Sequence, residues 1–211
     1  MDTTILEPTI RQIITEGIRP QINDAIRMAV KYKAETGFLI YFSLEEKKQR
    51  LKVWTDDITV GSKYFVPLDP QLKIGKELLR IIEKEPVERV VETVRKHQYR
   101  RHPNLLGDFH VHLFKAPISL VDMIQTMLSN GLITVLGQPL NANYAKITYL
   151  IWKPMEEQFK DVLVEAVRGA CRVYTYTVEK KKAGECEQKE CQRILHSGVV
   201  KQYSLNIQYA P

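Results

Sequence analysis

The sequence predicts an α+β domain in three layers, with helices on both faces of a mixed β-sheet. Three observations carry this expectation. The chain opens on a long helical pattern, its apolar period then switches repeatedly between 3.6 and 2, and helices and strands alternate without the regular rhythm of a parallel βαβ sheet.

Over residues 8–34, apolar side chains recur at Ile10, Ile13, Ile14, Ile18, Ile22, Ile26 and Val30, close to a helical period, and Pro20 is expected to break or kink the run. Residues 37–42 read as a strand and 44–50 as a charged turn, followed by short β segments at 51–54, 58–60 and 64–66. A helical region is expected over about 71–100, interrupted near Pro86. The loop His102-Pro103-Asn104 leads into a strand at 105–113. Residues 119–128 form a helix with Ser119 as N-cap and a stop at Asn130-Gly131. Strands at 133–136 and 145–151 precede a helix from 155 to about 170. The tail reads as a strand at 173–178, a charged loop and a last strand near 203–209. Residues 1–155 are expected to form the core, and 156–211 to complete or extend the same domain.

The 211 residues are 44% hydrophobic and 27% charged, ordinary proportions for a globular chain. No apolar run reaches the ~18 residues of a membrane span. The N-terminus has no basic segment leading into an apolar one, so a cytoplasmic location without membrane association is expected. The formal net charge is +6, with basic clusters at Arg95, Lys96, His97, Arg100, Arg101 and His102 and at Lys180, Lys181 and Lys182. No nucleic-acid-binding signature interleaves aromatics with these charges in a recognisable pattern, and the clusters read as solvated surface, so a nucleic-acid partner is not expected. Three cysteines, Cys171, Cys186 and Cys191, are too few and too odd in number for a disulfide framework. Cys186-x4-Cys191-x4-His196 offers three ligands at a non-standard spacing and reads as a disordered or redox-active loop rather than a second zinc site.

The chemistry-bearing segment is Gly107-Asp108-Phe109-His110-Val111-His112-Leu113. Side chains at i and i+2 of a strand share a face, so His110 and His112 present two imidazoles to one ion. Asp122 lies ten residues further on, in the first turn of the helix capped by Ser119, and supplies an oxygen. Two histidines and one carboxylate leave a position open, as catalytic zinc requires, and zinc so held polarises a carbonyl and lowers the pKa of water towards ~7. Asp108 points with the imidazoles and can orient one of them. Ser119 and Asp122 also have a plainer reading, as an N-cap and a first-turn acid favoured by the helix dipole.

His-x-His followed by Ser-x-x-Asp resembles the signature of the JAMM (MPN) zinc metalloisopeptidases. The resemblance implies that His110, His112 and Asp122 bind Zn2+ and that Ser119 supports the oxyanion. It also implies that Glu35, in Glu35-Thr36-Gly37-Phe38-Leu39-Ile40 directly after the first helix, is the base. The order of elements is similar to the MPN core over about residues 8–155, which implies a three-layer, cytidine-deaminase-like fold. Three positions depart from the family pattern. Leu113 stands where a proline is usual, Val111 where a serine is usual, and six residues rather than seven separate His112 from Ser119. The implied activity is hydrolysis of an amide or isopeptide bond to a ubiquitin-like modifier, deubiquitinase-like, with that modifier or its conjugates as partner. The alternative is a catalytically silent MPN scaffold or ubiquitin-like-binding module. The segment from Asp108 to His112 also resembles the metal-binding opening of amidohydrolases and PHP-type phosphoesterases. Those barrels need several further histidines, and only His196 lies beyond His112.

Overall fold

Both faces of one sheet are apolar, and each needs its own layer of helices. The computed structural model describes residues 3–45, 50–62, 66, 68, 84–96, 104–113, 116–129, 131–153, 158–178 and 183–210. The strands are β1 (Thr36–Glu45), β2 (Arg50–Thr55), β3 (Thr59–Val60), β4 (Leu105–Val111), β5 (Ile133–Pro139), β6 (Tyr144–Trp152) and β7 (Val200–Gln208). They make a seven-stranded mixed sheet in the order β2-β1-β4-β5-β6-β7, with β3 also paired to β1. The β4–β5 pair is parallel and the other pairs are antiparallel.

On one face lie α1 (Thr3–Gln12), a π-helical turn (Ile13–Gly17) and α2 (Arg19–Tyr32). Their buried Ile10, Ile14, Ile22 and Ile26 pack on Phe38, Phe109, Val135 and Ile147. The break expected at Pro20 falls slightly earlier. Ile18 leaves helical geometry at φ −120°, and Pro20 sits in the first turn of α2, where its missing N–H costs nothing. Lys33, at φ 51°, closes α2 in the left-handed region.

The other face carries α3 (Val87–Lys96), α4 (Leu120–Ser129), α5 (Phe159–Val178) and α6 (Ala183–Leu195). Here Val90, Met123, Met127, Leu163, Val167 and Ile194 cover Leu136, Leu150 and Trp152. Two expectations for the tail are corrected. The strand expected at 173–178 is the end of α5, and the charged loop bearing Cys186 and Cys191 is α6. The β-branched run at the end of α5 favours a strand locally. The helix nonetheless continues because its preceding turns bury Ala166, Val167, Ala170 and Cys171 in one stripe. In α6 few positions are apolar, and ion pairs hold it in place. Arg172 donates from Nε and Nη2 to Glu190 Oε1 at 3.0 and 2.8 Å, and Arg193 donates from Nη1 to Glu165 Oε2 of α5 at 3.1 Å. The β segment expected at 64–66 and the helical stretches at 71–83 and 97–100 fall wholly or largely outside the described residues. Inside them, 87–96 is helical as expected. Among the described residues no helix is long and apolar enough to cross a membrane.

Two glycines let strands approach where the candidate site is built. A Cβ on Gly107 would lie 1.9 Å from the Ile133 carbonyl oxygen, and one on Gly37 would lie 2.5 Å from that of Phe109. Gly107→Ala therefore has to push β4 from β5. We expect it to lower the unfolding free energy by about 2–4 kcal/mol in chemical denaturation. An unchanged midpoint would contradict the close β4–β5 contact.

Candidate metal centre

Strand parity sets the site. In β4, Phe109 and Val111 face α2, which leaves Asp108, His110 and His112 on the face covered by α4. Gly37 of β1 pairs directly with His110, so Glu35, two residues earlier, falls on the same face. Thr36 points the other way, donating from Oγ1 to the Ala25 carbonyl of α2 at 2.8 Å.

The helix α4 connects the parallel strands β4 and β5, and its first turn delivers Asp122 to the end of β4. Asp122 Oδ2 lies 3.5 Å from Nε2 of His110 and 3.5 Å from Nε2 of His112. The ligand atoms of all three lie within 4.8 Å of one another. The opposite ring nitrogens are taken. His110 Nδ1 meets Asp108 Oδ2 at 2.9 Å, and His112 Nδ1 meets the Ala116 carbonyl at 3.3 Å. That carbonyl also accepts from the Gln138 amide. Both Nε2 atoms are therefore left facing Asp122.

The residues fit a zinc ion. Two donors at ~2.0–2.2 Å from one tetrahedral ion stand roughly 3.3–3.5 Å apart, which the 3.5 Å separations match. His110 Nε2 is buried without a hydrogen-bond partner, an arrangement that costs free energy unless something else occupies its lone pair or its proton. The donor set of two imidazoles and one carboxylate suits zinc.

Charge is balanced around Asp122. Burial opposes its ionisation, but His110, His112 and the Ser119 hydroxyl hold its carboxyl well below the usual range. Burial likewise opposes a charge on His110, yet Asp122 and Asp108 raise that imidazole well above its ordinary value. Burial, with His110 beside it, pushes His112 down. Glu35 is pushed up to about 7, chiefly by burial; His110 pulls it down and Asp122 adds to the rise.

Ser119 is the N-cap of α4 in a reciprocal arrangement. Its N–H and hydroxyl donate to Asp122 Oδ2 at 2.9 and 2.7 Å, while the Asp122 N–H donates to Ser119 Oγ at 3.1 Å. The structure thus gathers His110, His112, Asp122 and Ser119, and sets Glu35 within their field. The short connection from His112 still lets Ser119 reach Asp122.

Several contributors were not singled out from the sequence. Thr126 donates towards Asp108 Oδ1 at 3.3 Å, and its place one helical turn after Asp122 was an available signal. Glu187 of α6 accepts the Leu120 N–H at 3.1 Å, across 67 residues of sequence, and no local pattern announces it. Cys191 Sγ lies 3.9 Å from the Ile118 carbonyl, its thiol pushed up to about 12 by burial and then by Glu187 and Asp122. That thiol packs as an apolar group. Among the described residues, Cys186, Cys191 and His196 form no ligand cluster.

In comparisons with known proteins, no family model and no curated protein matches the chain.

The elevated His110 implies proton release on metal uptake. In the metal-free protein near pH 7 His110 holds a proton that zinc must displace, whereas His112 is already neutral. Titration calorimetry in buffers of different ionisation enthalpy should report release of at least about one proton per zinc, that of His110 together with the fraction Glu35 gives up as the cation lowers its pKa. Release of none would contradict the coupling of His110 to Asp122.

Proposed function

We propose that this chain is a zinc-dependent hydrolase of amide or isopeptide bonds, of the JAMM (MPN) type, acting on conjugates or precursors of a ubiquitin-like modifier. The observation that carries the reading is the convergence of both His Nε2 atoms on Asp122 Oδ2, each at 3.5 Å, with Glu35 on the same sheet face. The resemblance of His-x-His, Ser-x-x-Asp and the strand headed by Glu35 to that family supplies the substrate class. The mixed sheet with helices on both faces is compatible with it.

Zinc, when bound, supplies Lewis acidity, polarising the scissile carbonyl and acidifying water. His110, His112 and Asp122 would hold it. Glu35 takes a proton from the attacking water and passes it to the leaving amine as the C–N bond breaks. Burial raises this carboxyl from its usual range, which suits it to returning the proton as well as taking it. Ser119 donates a hydrogen bond to the developing oxyanion. For that it must rotate its hydroxyl away from Asp122, where it donates at 2.7 Å.

The commitment of Ser119 to the helix cap favours a second reading, a catalytically silent module that binds ubiquitin-like proteins. Zinc content by elemental analysis, paired with cleavage assays on linear and isopeptide-linked substrates, separates the two. Glu35→Gln should retain zinc and lose about 10²–10⁴-fold in rate. His112→Ala should lose both metal and activity. Normal turnover by Glu35→Gln would remove the proposed base.

The pH profile follows from the same carboxyl. Glu35 must be ionised to accept a proton, so kcat/KM should rise with pH along one acid limb. Its pKa is about 7 without a cation, and a neighbouring divalent ion lowers it, so the limb's midpoint should lie below 7 in the zinc form. A rate that falls as pH rises through that range would reverse the assignment.

A further inference from the structure

A chain of polar side chains runs through the otherwise apolar layer beneath the candidate centre. Trp152 of β6 donates from Nε1 to Thr134 Oγ1 of β5 at 3.0 Å. Thr134 Oγ1 in turn donates to Thr126 Oγ1 of α4 at 2.6 Å. The Thr126 hydroxyl faces Asp108 Oδ1 of β4 at 3.3 Å and the Asp122 carbonyl at 3.1 Å. The other Asp108 oxygen meets His110 Nδ1 at 2.9 Å. Trp152, Thr134 and Thr126 are all buried, with exposures of 1%, 0% and 3%.

The chain begins at the indole. An indole N–H can only donate, so Thr134 accepts from it, and the Thr134 hydroxyl donates in turn to Thr126. Thr126, having accepted, has one proton left, and both atoms within its reach are acceptors. Asp108 stands between Thr126 at Oδ1 and His110 Nδ1 at Oδ2, and a carboxylate there accepts from both. The Nε2 of His110 is then the atom presented towards Asp122.

The indole alone does not account for the chain. Thr134 by itself satisfies Trp152, and an apolar set of the same shape would fill the layer without the cost of burying hydroxyls. What the two further groups reach is the strand that bears the histidines and the helix that bears Asp122.

We infer that Thr126, backed by Thr134 and Trp152, is a positioning residue for the metal centre, holding Asp108 as an acceptor and so fixing His110 with Nε2 towards the ion. This rests on the zinc reading above and extends it to how one ligand is oriented. His112 is oriented separately, through the Ala116 carbonyl, and lies outside the relay.

The test is zinc affinity by chelator competition on the full chain, together with nitrogen NMR shifts of the His110 ring. Thr126→Val keeps the shape and removes the hydroxyl. It should weaken zinc binding about 10-fold or more, within the 10–100-fold typical of groups behind a metal ligand, and Thr126→Ser should restore it. Asp108→Asn, the second variant, should weaken binding at least as much and shift the ring nitrogen signals of His110. Thermal melts of each metal-free variant separate folding from binding. A Thr126→Val protein that melts lower, yet binds zinc as tightly with His110 unchanged, would overturn the relay and leave Thr126 a core residue only. Failure of the unaltered chain to take up zinc would overturn both this inference and the zinc reading. Zinc uptake weakened by Thr126→Val, without cleavage of any substrate, would support the relay and remove the hydrolase reading alone.

Discussion

The charge on Asp122 is the constraint around which the molecule is arranged. A part-buried carboxylate must be compensated, and four groups do so: the N–H and hydroxyl of Ser119 and the imidazoles of His110 and His112. The amino end of α4 adds a favourable dipole. These requirements hold only if the first turn of α4 stands against the carboxyl end of β4. The topology ensures this, because α4 is the crossover between the parallel neighbours β4 and β5. Ligands in sheets of this kind gather at the carboxyl ends of parallel strands for the same reason.

Close strand packing makes the arrangement rigid. Gly107 and Gly37 flank the histidine segment at positions where a single methyl group would collide with backbone oxygen. With side chains removed there, β1, β4 and β5 approach closely, and His110 is held between neighbours that cannot move apart without breaking ladder hydrogen bonds. Asp122 and Asp108, which raise the affinity of buried His110 for a proton, are the charges that would favour a cation at the same place. Metal affinity and proton affinity of this site are thus two expressions of one negative charge.

The C-terminal segment takes part in the same construction. β7 extends the sheet beside β6, while α5 and α6 cover the layer that holds α4. Glu187 of α6 accepts the N–H of Leu120 and secures the helix that carries Asp122. The ion pairs of Glu190 with Arg172 and of Arg193 with Glu165 tie α6 to α5. A mainly polar helix is therefore placed by charge rather than by a broad apolar stripe.

The sequence alone determined what depends on short-range periodicity. A period of two in β4 put His110 and His112 on one face, and a serine three residues before Asp122 marked the start of α4. The alternation of periods disclosed helices and strands in nearly their observed order. It misread 173–178 and the cysteine-bearing segment, where burial of a helical stripe and ion pairs between helices outweigh local preference. Only the tertiary structure decided that Asp122 reaches both imidazoles, that Glu187 secures α4, and that Trp152 and Thr134 stand behind Thr126. Those contacts join residues up to 67 positions apart, and their existence depends on which strands pair and which helix crosses between them. Periodicity records which way a side chain points; what it meets there is set by the packing of the layers.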